Sequence, residues 1–375
     1  MATLRKKCVI CQESIFTDCF SIINTINIVE DEDKLYNENE IKDLNFIGCV
    51  KCGCVQLKNL FNPEEIYSQK SHSTDGTIWN KHNEEFIQFI GNNIFENSNI
   101  LEIGGGSGKF AKNIMNNIKT NSYKILDIFA PDIDINDDIE YVYGNCEVFD
   151  FNNINIDSII LCHVFEHLYE PKKFIENISN TSIREIFISI PDMDNLIKNG
   201  DINNLNIQHT FYIDTQYITR LFNEFNYNLN SIYNYEKNSV FYHFVKNEFS
   251  NNKKITNEYK NIDLIEKQNI FYYNIKERIK NIKIDKPFLI CPSGYYGKIV
   301  YHYLDESTKN NIIGFLDSDK YKINKRLSGT NSMIFSKAYI KNYENAIVLI
   351  IAEKYKDEII DELLSYNNLV KFLFI

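Results

Sequence analysis

Two cysteine pairs, Cys8-x-x-Cys11 and Cys49-x-x-Cys52, stand 37 residues apart near the start of the chain. A Cys-x-x-Cys turn lets two thiolates converge on one ion, and two such turns complete the tetrahedron that zinc prefers. Four protein sulfurs leave no open position, so zinc held there is structural rather than catalytic. Cys19 and Cys54 are further candidates, and the competing reading is a set of free buried cysteines in a small reduced domain. A second pattern lies at residues 101–110, Leu-Glu-Ile-Gly-Gly-Gly-Ser-Gly-Lys-Phe. Gly104, Gly106 and Gly108 let the backbone pass close to a ligand where a strand ends and a helix begins. Dinucleotide enzymes use a similar turn, so the loop needs support from its neighbours. Glu102 stands just before the glycines and Asp127 ends the next apolar run. That order sets one carboxylate near a ligand ammonium and the other near ribose hydroxyls. Asn145, Cys146 and Glu147 follow the next strand, where an amide and a carboxylate can meet an adenine edge.

Elements must hold these residues in place. Trp79, Phe86, Phe89, Ile90 and Ile94 fall close to one helical face, and apolar runs at 99–103, 123–128, 157–162 and 185–190 read as buried strands separated by crossovers. Alternation of this kind predicts an α/β unit around a parallel sheet. The run Cys162-His-Val-Phe-Glu-His-Leu168 follows the strand at 157–162, which makes His163 a candidate contact for cofactor or substrate. His167 reads equally well as a helix-side histidine with a satisfied hydrogen bond. A charged, helical stretch at 249–286 then precedes further strands at 287–291, 311–317, 346–351 and 369–375. The expected domains are residues 1–70 around zinc, a catalytic α/β unit at 71–250, a helical connector at 251–285 and a second, Rossmann-like α/β unit at 286–375.

At 375 residues the chain exceeds one ordinary hydrophobic core. Its formal charge of -11 opposes a nucleic-acid partner, because such a binder needs a basic field. No run of 18 or more apolar residues occurs, and the N-terminus lacks an apolar signal region, so neither a membrane partner nor export is expected. Nine cysteines without an export signal fit metal ligation in the reducing cytoplasm better than disulfides.

The glycine loop with Glu102, Asp127 and the 144–147 segment resembles the class I methyltransferases, in which this loop holds S-adenosylmethionine. Taken whole, the chain resembles the sugar C-methyltransferase family, with a cysteine-rich N-terminal domain, a methyltransferase core and a C-terminal α/β domain. The matching stretches are the cysteine pairs, Asn62-Pro-Glu-Glu-Ile-Tyr67, the loop, Ile190-Pro-Asp192, Gln208-His-Thr-Phe-Tyr212, Gly294-Tyr-Tyr-Gly-Lys298 and Asp317-Ser-Asp319. The resemblance implies a small-molecule substrate, a nucleotide-linked deoxysugar held between the terminal domains and the core, and leaves homo-oligomers open. It also implies His209 as the base that takes a proton from the acceptor, with Gln208 and Tyr67 beside it. Where the family has Glu-His this chain has Gln208-His209, which weakens proton removal from carbon and favours an oxygen or nitrogen acceptor. A second tyrosine expected after Tyr67 is absent, and His72 is a stand-in for it. The competing functions are methylation of another small metabolite or of RNA, and a methyltransferase-like scaffold without activity.

Overall fold

The computed structural model describes residues 3–25, 29–30, 41–67, 77–129, 138–198, 204–236, 239–247, 262–352 and 356–375. His72, the expected 70/71 and 250/251 boundaries and the start of the connector lie outside them.

The cysteine-bearing segment forms an antiparallel sheet from β1 (Phe16–Thr25), β2 (Ile41–Cys49) and β3 (Val55–Leu57). Its outer edge is completed from far along the chain by β9 (Phe211–Tyr212), which pairs antiparallel with β3. The segment therefore does not close on itself. Cys8, Val9, Cys49 and Cys52 share one apolar cluster with Leu101, Ile188 and Phe211 of the central unit.

The central sheet contains β4 (Asn99–Ile103), β5 (Ser122–Asp127), β6 (Ile139–Tyr143), β7 (Ser158–Cys162), β8 (Glu185–Pro191), β10 (Tyr227–Tyr235) and β11 (Ser239–Lys246). Their order is β10-β11-β8-β7-β4-β5-β6. Strands β4 to β8 run parallel, as their alternation with helices requires. Successive side chains on a strand face opposite sides of the sheet, and here both sides are apolar. Ile100, Ile160 and Phe187 pack under the helices Thr77–Gly91 and Lys109–Asn117. Leu101, Ile159 and Ile188 pack on the other face, under Pro171–Ser179 and Thr215–Asn223. The last two strands depart from the expected all-parallel sheet: β11 is antiparallel to β8 and hairpins with β10. The expected helical face ends at Gly91, so Ile94 lies beyond the helix and packs at the margin of its cluster.

The helix Ile262–Lys280 leads to a second sheet of β12 (Phe288–Cys291), β13 (Ile312–Asp317), β14 (Ile334–Ser336), β15 (Ile347–Ile350) and β16 (Lys371–Phe374). All neighbours are parallel in the order β14-β13-β12-β15-β16. The helix is more than a connector. Tyr272 stacks on Phe20 of β1, donates its hydroxyl to the Ser21 carbonyl, and joins a cluster that includes Phe288 and Phe315 of the last unit. Among the described residues no helix is long and apolar enough to cross a membrane.

Candidate active site

The glycine loop leaves the carboxyl end of β4, beside the point where strand order reverses between β4 and β7; open α/β sheets place ligands at such a crevice. Its backbone is left-handed at Gly104, Gly106 and Gly108, with φ of +72°, +51° and +71°. Side chains rarely adopt this region, which explains the glycines. A methyl group on Gly104 would stand 2.7 Å from Val164, and one on Gly108 would stand 2.6 Å from the Tyr141 hydroxyl. At Gly106 it would meet nothing within 4 Å, so this glycine borders open space.

Asp127 sits at the end of β5, half-buried, where its Oδ2 accepts the Gly106 amide at 3.0 Å and its Oδ1 the Phe129 amide at 2.9 Å. Glu102 lies beneath the loop rather than in the open, only 3 % exposed, and accepts the Tyr123 hydroxyl at 2.9 Å. Burial pushes its carboxyl up to about 7 against the pull of that hydrogen bond. Asn145 is exposed and caps its own turn by accepting the Glu147 amide at 2.9 Å. Cys146 is buried in the apolar core, and the Glu147 carboxylate accepts the Glu170 amide.

The turn after β7 carries a second constellation. His163 has a left-handed φ of +53°, which swings its ring inward. Its Nδ1 lies 3.1 Å from Glu166 Oε1, and its Nε2 lies 3.1 Å from the Ser239 hydroxyl and 3.3 Å from His82 Nε2. His82 in turn reaches the Ser189 hydroxyl at 2.9 Å, and Trp79 stands edge-on to both rings. On the other side of Glu166, His209 Nε2 stands 4.0 Å from the carboxylate and its ring 5.2 Å from that of His167. His167 Nδ1 meets the Tyr67 hydroxyl at 3.1 Å. Burial lowers His209 to about 3, His167 to about 4 and His82 to about 3, and raises Glu166 to about 7.

Two of the residues singled out for catalysis, His209 and Tyr67, thus flank one histidine. Gln208 precedes His209, and both backbone amides donate to Asn206 Oδ1. This cluster adjoins the glycine loop: Val164 abuts Gly104, and the Tyr67 ring lies 6.3 Å from Phe129, two residues past Asp127. Sequence reasoning missed His82 and Glu166. The spacing His163-x-x-Glu166 within one turn was a usable signal for the second, whereas nothing local marks His82.

The four sulfurs of Cys8, Cys11, Cys49 and Cys52 lie within 4.8 Å of one another, with Cys8–Cys52 and Cys11–Cys49 both at 3.5 Å. A zinc tetrahedron with bonds of about 2.3 Å sets sulfurs about 3.8 Å apart. Each pair ends in a left-handed residue, Gln12 or Gly53, whose amide donates back to the first cysteine carbonyl. Cys54 points instead toward the Tyr212 carbonyl, and Cys19 toward that of Thr17. The knuckles bear on His209: the Arg5 guanidinium, buried, donates to the carbonyls of Leu57, Tyr169 and Thr210, and Leu57 donates its amide to Thr210.

In the last unit, β12 ends in a cis Cys291–Pro292 bond and Gly294 with φ of +145°, and the helix Tyr295–Tyr303 follows. Asp317 at the end of β13 takes the Ser293 hydroxyl and Lys322 Nζ on Oδ2 and the Asp319 amide on Oδ1. Lys298 is buried, 5.3 Å from the Tyr295 ring.

Residues 79–232 match a family model described as Methyltransferase domain. Solved structures similar to the chain include the putative methyltransferase bound to the Haloferax volcanii Trm112 activator, at 11 % identity and a TM-score of 0.39, covering 45 % of this chain and 90 % of that one. The N-methyltransferase NodS from Bradyrhizobium japonicum WM9 with S-adenosyl-L-homocysteine follows at 12 % identity and 0.37, covering 46 % and 90 %. Magnesium protoporphyrin IX methyltransferase from Synechocystis PCC 6803 stands at 10 % and 0.36, covering 47 % and 90 %. No curated protein matches the chain in sequence. The domain match and the sheet order together make the chain a methyltransferase with a class I core.

Proposed function

We propose that this methyltransferase moves a methyl group from S-adenosylmethionine to a nucleotide-linked deoxysugar, at a carbon or hydroxyl whose proton His209 removes. The adjacency of the Asp127 crevice to the cluster of His209, His167 and Tyr67 supports this reading most. S-adenosylmethionine, when bound, supplies an electrophilic methyl group on a sulfonium. The rest falls to the chain. Asp127 takes the ribose hydroxyls in place of the Gly106 and Phe129 amides, Asn145 meets the adenine, and the buried Glu102 lies beneath the amino-acid tail. His163 orients the turn between cofactor and acceptor. In-line displacement demands alignment, and a general base contributes about 100-fold or more. Tyr67 and His167 hold the acceptor edge, and burial keeps His209 neutral, so that one ring nitrogen carries a lone pair at neutral pH. The uncharged Gln208 favours a hydroxyl acceptor over carbon.

Cys8, Cys11, Cys49 and Cys52 would hold a structural zinc ion, which fits their near-tetrahedral spacing. Its task is to keep β3 in place against β9, and so to fix the segment that carries His209. In this reading the nucleotide lies against the last unit beside Gly294, which borders open space.

Methyl-labelled S-adenosylmethionine offered with a panel of nucleotide-linked deoxysugars tests the reading. Label should pass to at least one of them, and His209→Ala should cut transfer about 100-fold or more while leaving S-adenosylhomocysteine affinity unchanged. Equal transfer by the variant removes His209 from the role of base.

A further inference from the structure

Glu166 stands at the centre of the histidine cluster without a part in the proposed reaction. Its side chain is 7 % exposed, its Oε1 lies between His163 and His209, and its Oε2 is sealed from solvent with no hydrogen-bond partner among the described residues. The titratable groups facing it are His163 and His167 from its own turn, Cys162 from the end of β7, His209 from the segment before β9, and Tyr67 from the helix Pro63–Tyr67. Its backbone is pinned as well, because the Thr210 amide, next to His209, donates to the Glu166 carbonyl at 3.0 Å. A bare carboxylate oxygen in such surroundings is costly, and a proton placed on it removes the charge.

We propose that Glu166 holds the proton that His209 takes from the methyl acceptor, and so stands in for the carboxylate that Gln208 lacks. The inference rests on the reading of His209 as base. The acceptor's C–H or O–H bond yields its proton to the His209 imidazole, and the electron pair left behind forms the new bond to the methyl carbon. The methyl–sulfur bond breaks with its pair remaining on sulfur. The proton then passes from His209 Nε2 to Glu166 Oε1, a step that needs their 4.0 Å separation to close to hydrogen-bond distance, and His209 returns to its neutral form. Burial acts oppositely on the two groups, raising the carboxyl to about 7 and lowering the imidazole to about 3, so the acid outcompetes the base for one proton. His167 opposes the rise of Glu166 and does not cancel it. With a second proton site in reach, a carbon acceptor next to a ketone remains open to this enzyme despite Gln208.

The test is a ligand-free pH titration of the full chain labelled with 13C at glutamate carboxyls and 15N at histidine, followed by NMR from about pH 4 to about pH 9. Glu166→Gln assigns the carboxyl resonance; should that variant not fold, Glu166→Asp assigns it by displacement. The expected result is a Glu166 midpoint near 7, roughly a hundredfold or more in proton affinity above an ordinary glutamate, with His209 neutral down to about pH 5. A Glu166 midpoint at the ordinary value of about 4.3, or His209 protonating above about pH 6, overturns the inference. Calorimetry with S-adenosylhomocysteine on the same sample separates the two levels. Absence of binding removes the proposed function, whereas binding with an ordinary Glu166 removes only this assignment.

Discussion

Strands β4 and β12 each lead through a glycine turn into a helix, and each has a neighbour, β5 or β13, that ends in an aspartate. The two aspartates differ in what fills their lone pairs. Asp127 is met by two backbone amides, one from the glycine loop itself, and its loop borders open space at Gly106. Asp317 is 7 % exposed and caged by the Ser293 hydroxyl, the Lys322 ammonium and the Asp319 amide. A ligand hydroxyl can replace an amide at Asp127 with little rearrangement, whereas at Asp317 it must break an ion pair in a tight site. The same topology therefore yields a socket in one unit and a locked corner in the other.

The largest expected effect tests that contrast directly. Asp127→Ala should weaken S-adenosylhomocysteine binding at least about 100-fold, since two hydrogen bonds to a charged group are lost. Asp317→Ala should leave that affinity unchanged and lower the melting temperature, since it strands Lys322. Calorimetry and thermal unfolding of both variants read the outcome; equal loss of affinity in the two would erase the distinction.

Metal removal comes next. Because β3 carries β9 and Arg5 grips the Thr210 carbonyl, chelation should reduce methyl transfer at least about tenfold through displacement of His209. Cofactor affinity should change little, and parallel loss of both would show that zinc supports the whole fold.

Glycine substitutions sharpen the comparison at smaller scale. Gly108→Ala forces a left-handed alanine and a clash with Tyr141, whereas Gly294→Ala meets only backbone strain. Denaturant unfolding should show a cost of about 2 kcal/mol or more for the first and about 1–2 kcal/mol for the second. A larger cost at Gly294 would mean that the C-terminal turn is the tighter one.

The most gradual effect is in pH. Glu102 has a folded value near 7, above its unfolded value, so its protonated form stabilises the native state, and that stability is lost as pH rises through 7. Glu102→Gln should therefore gain on wild type between about pH 5 and about pH 7, at up to about 1.4 kcal/mol per pH unit. His82, His167 and His209 act with the opposite sign, their depressed values adding stability that is lost on acidification below about 6.5. They are unchanged in the variant and cancel in the difference. Parallel stability curves for the two proteins would place Glu102 in contact with water.

Much of this fold was legible because its signals are local. Runs such as residues 99–103 and 157–162 are short, mostly apolar and bounded by polar residues or glycine, which suits a buried strand, and the glycines of the loop mark left-handed backbone. The hairpin of β10 and β11 was not legible: Ser231 among the inward positions and Ile232 among the exposed ones break the alternation of β10, and β11 is buried almost throughout. At the site, Asp127 could be named from its place after the glycine loop, and His209 only through the family resemblance. His82 could not, since its meaning arises only when the helix Thr77–Gly91 meets the turn after β7, whereas Glu166 carried a local signal in its spacing from His163. The cysteine segment, expected as a domain around zinc, proves to be buried by the rest of the chain as well.

A crystal structure with S-adenosylhomocysteine bound tests the central claim most directly. The account predicts both ribose hydroxyls within hydrogen-bond distance of Asp127, the Gly106 amide released from it, and the sulfur facing His209 and Tyr67. Nucleoside density beside Asp317, or a ligand that leaves the Asp127–Gly106 bond intact, would contradict it.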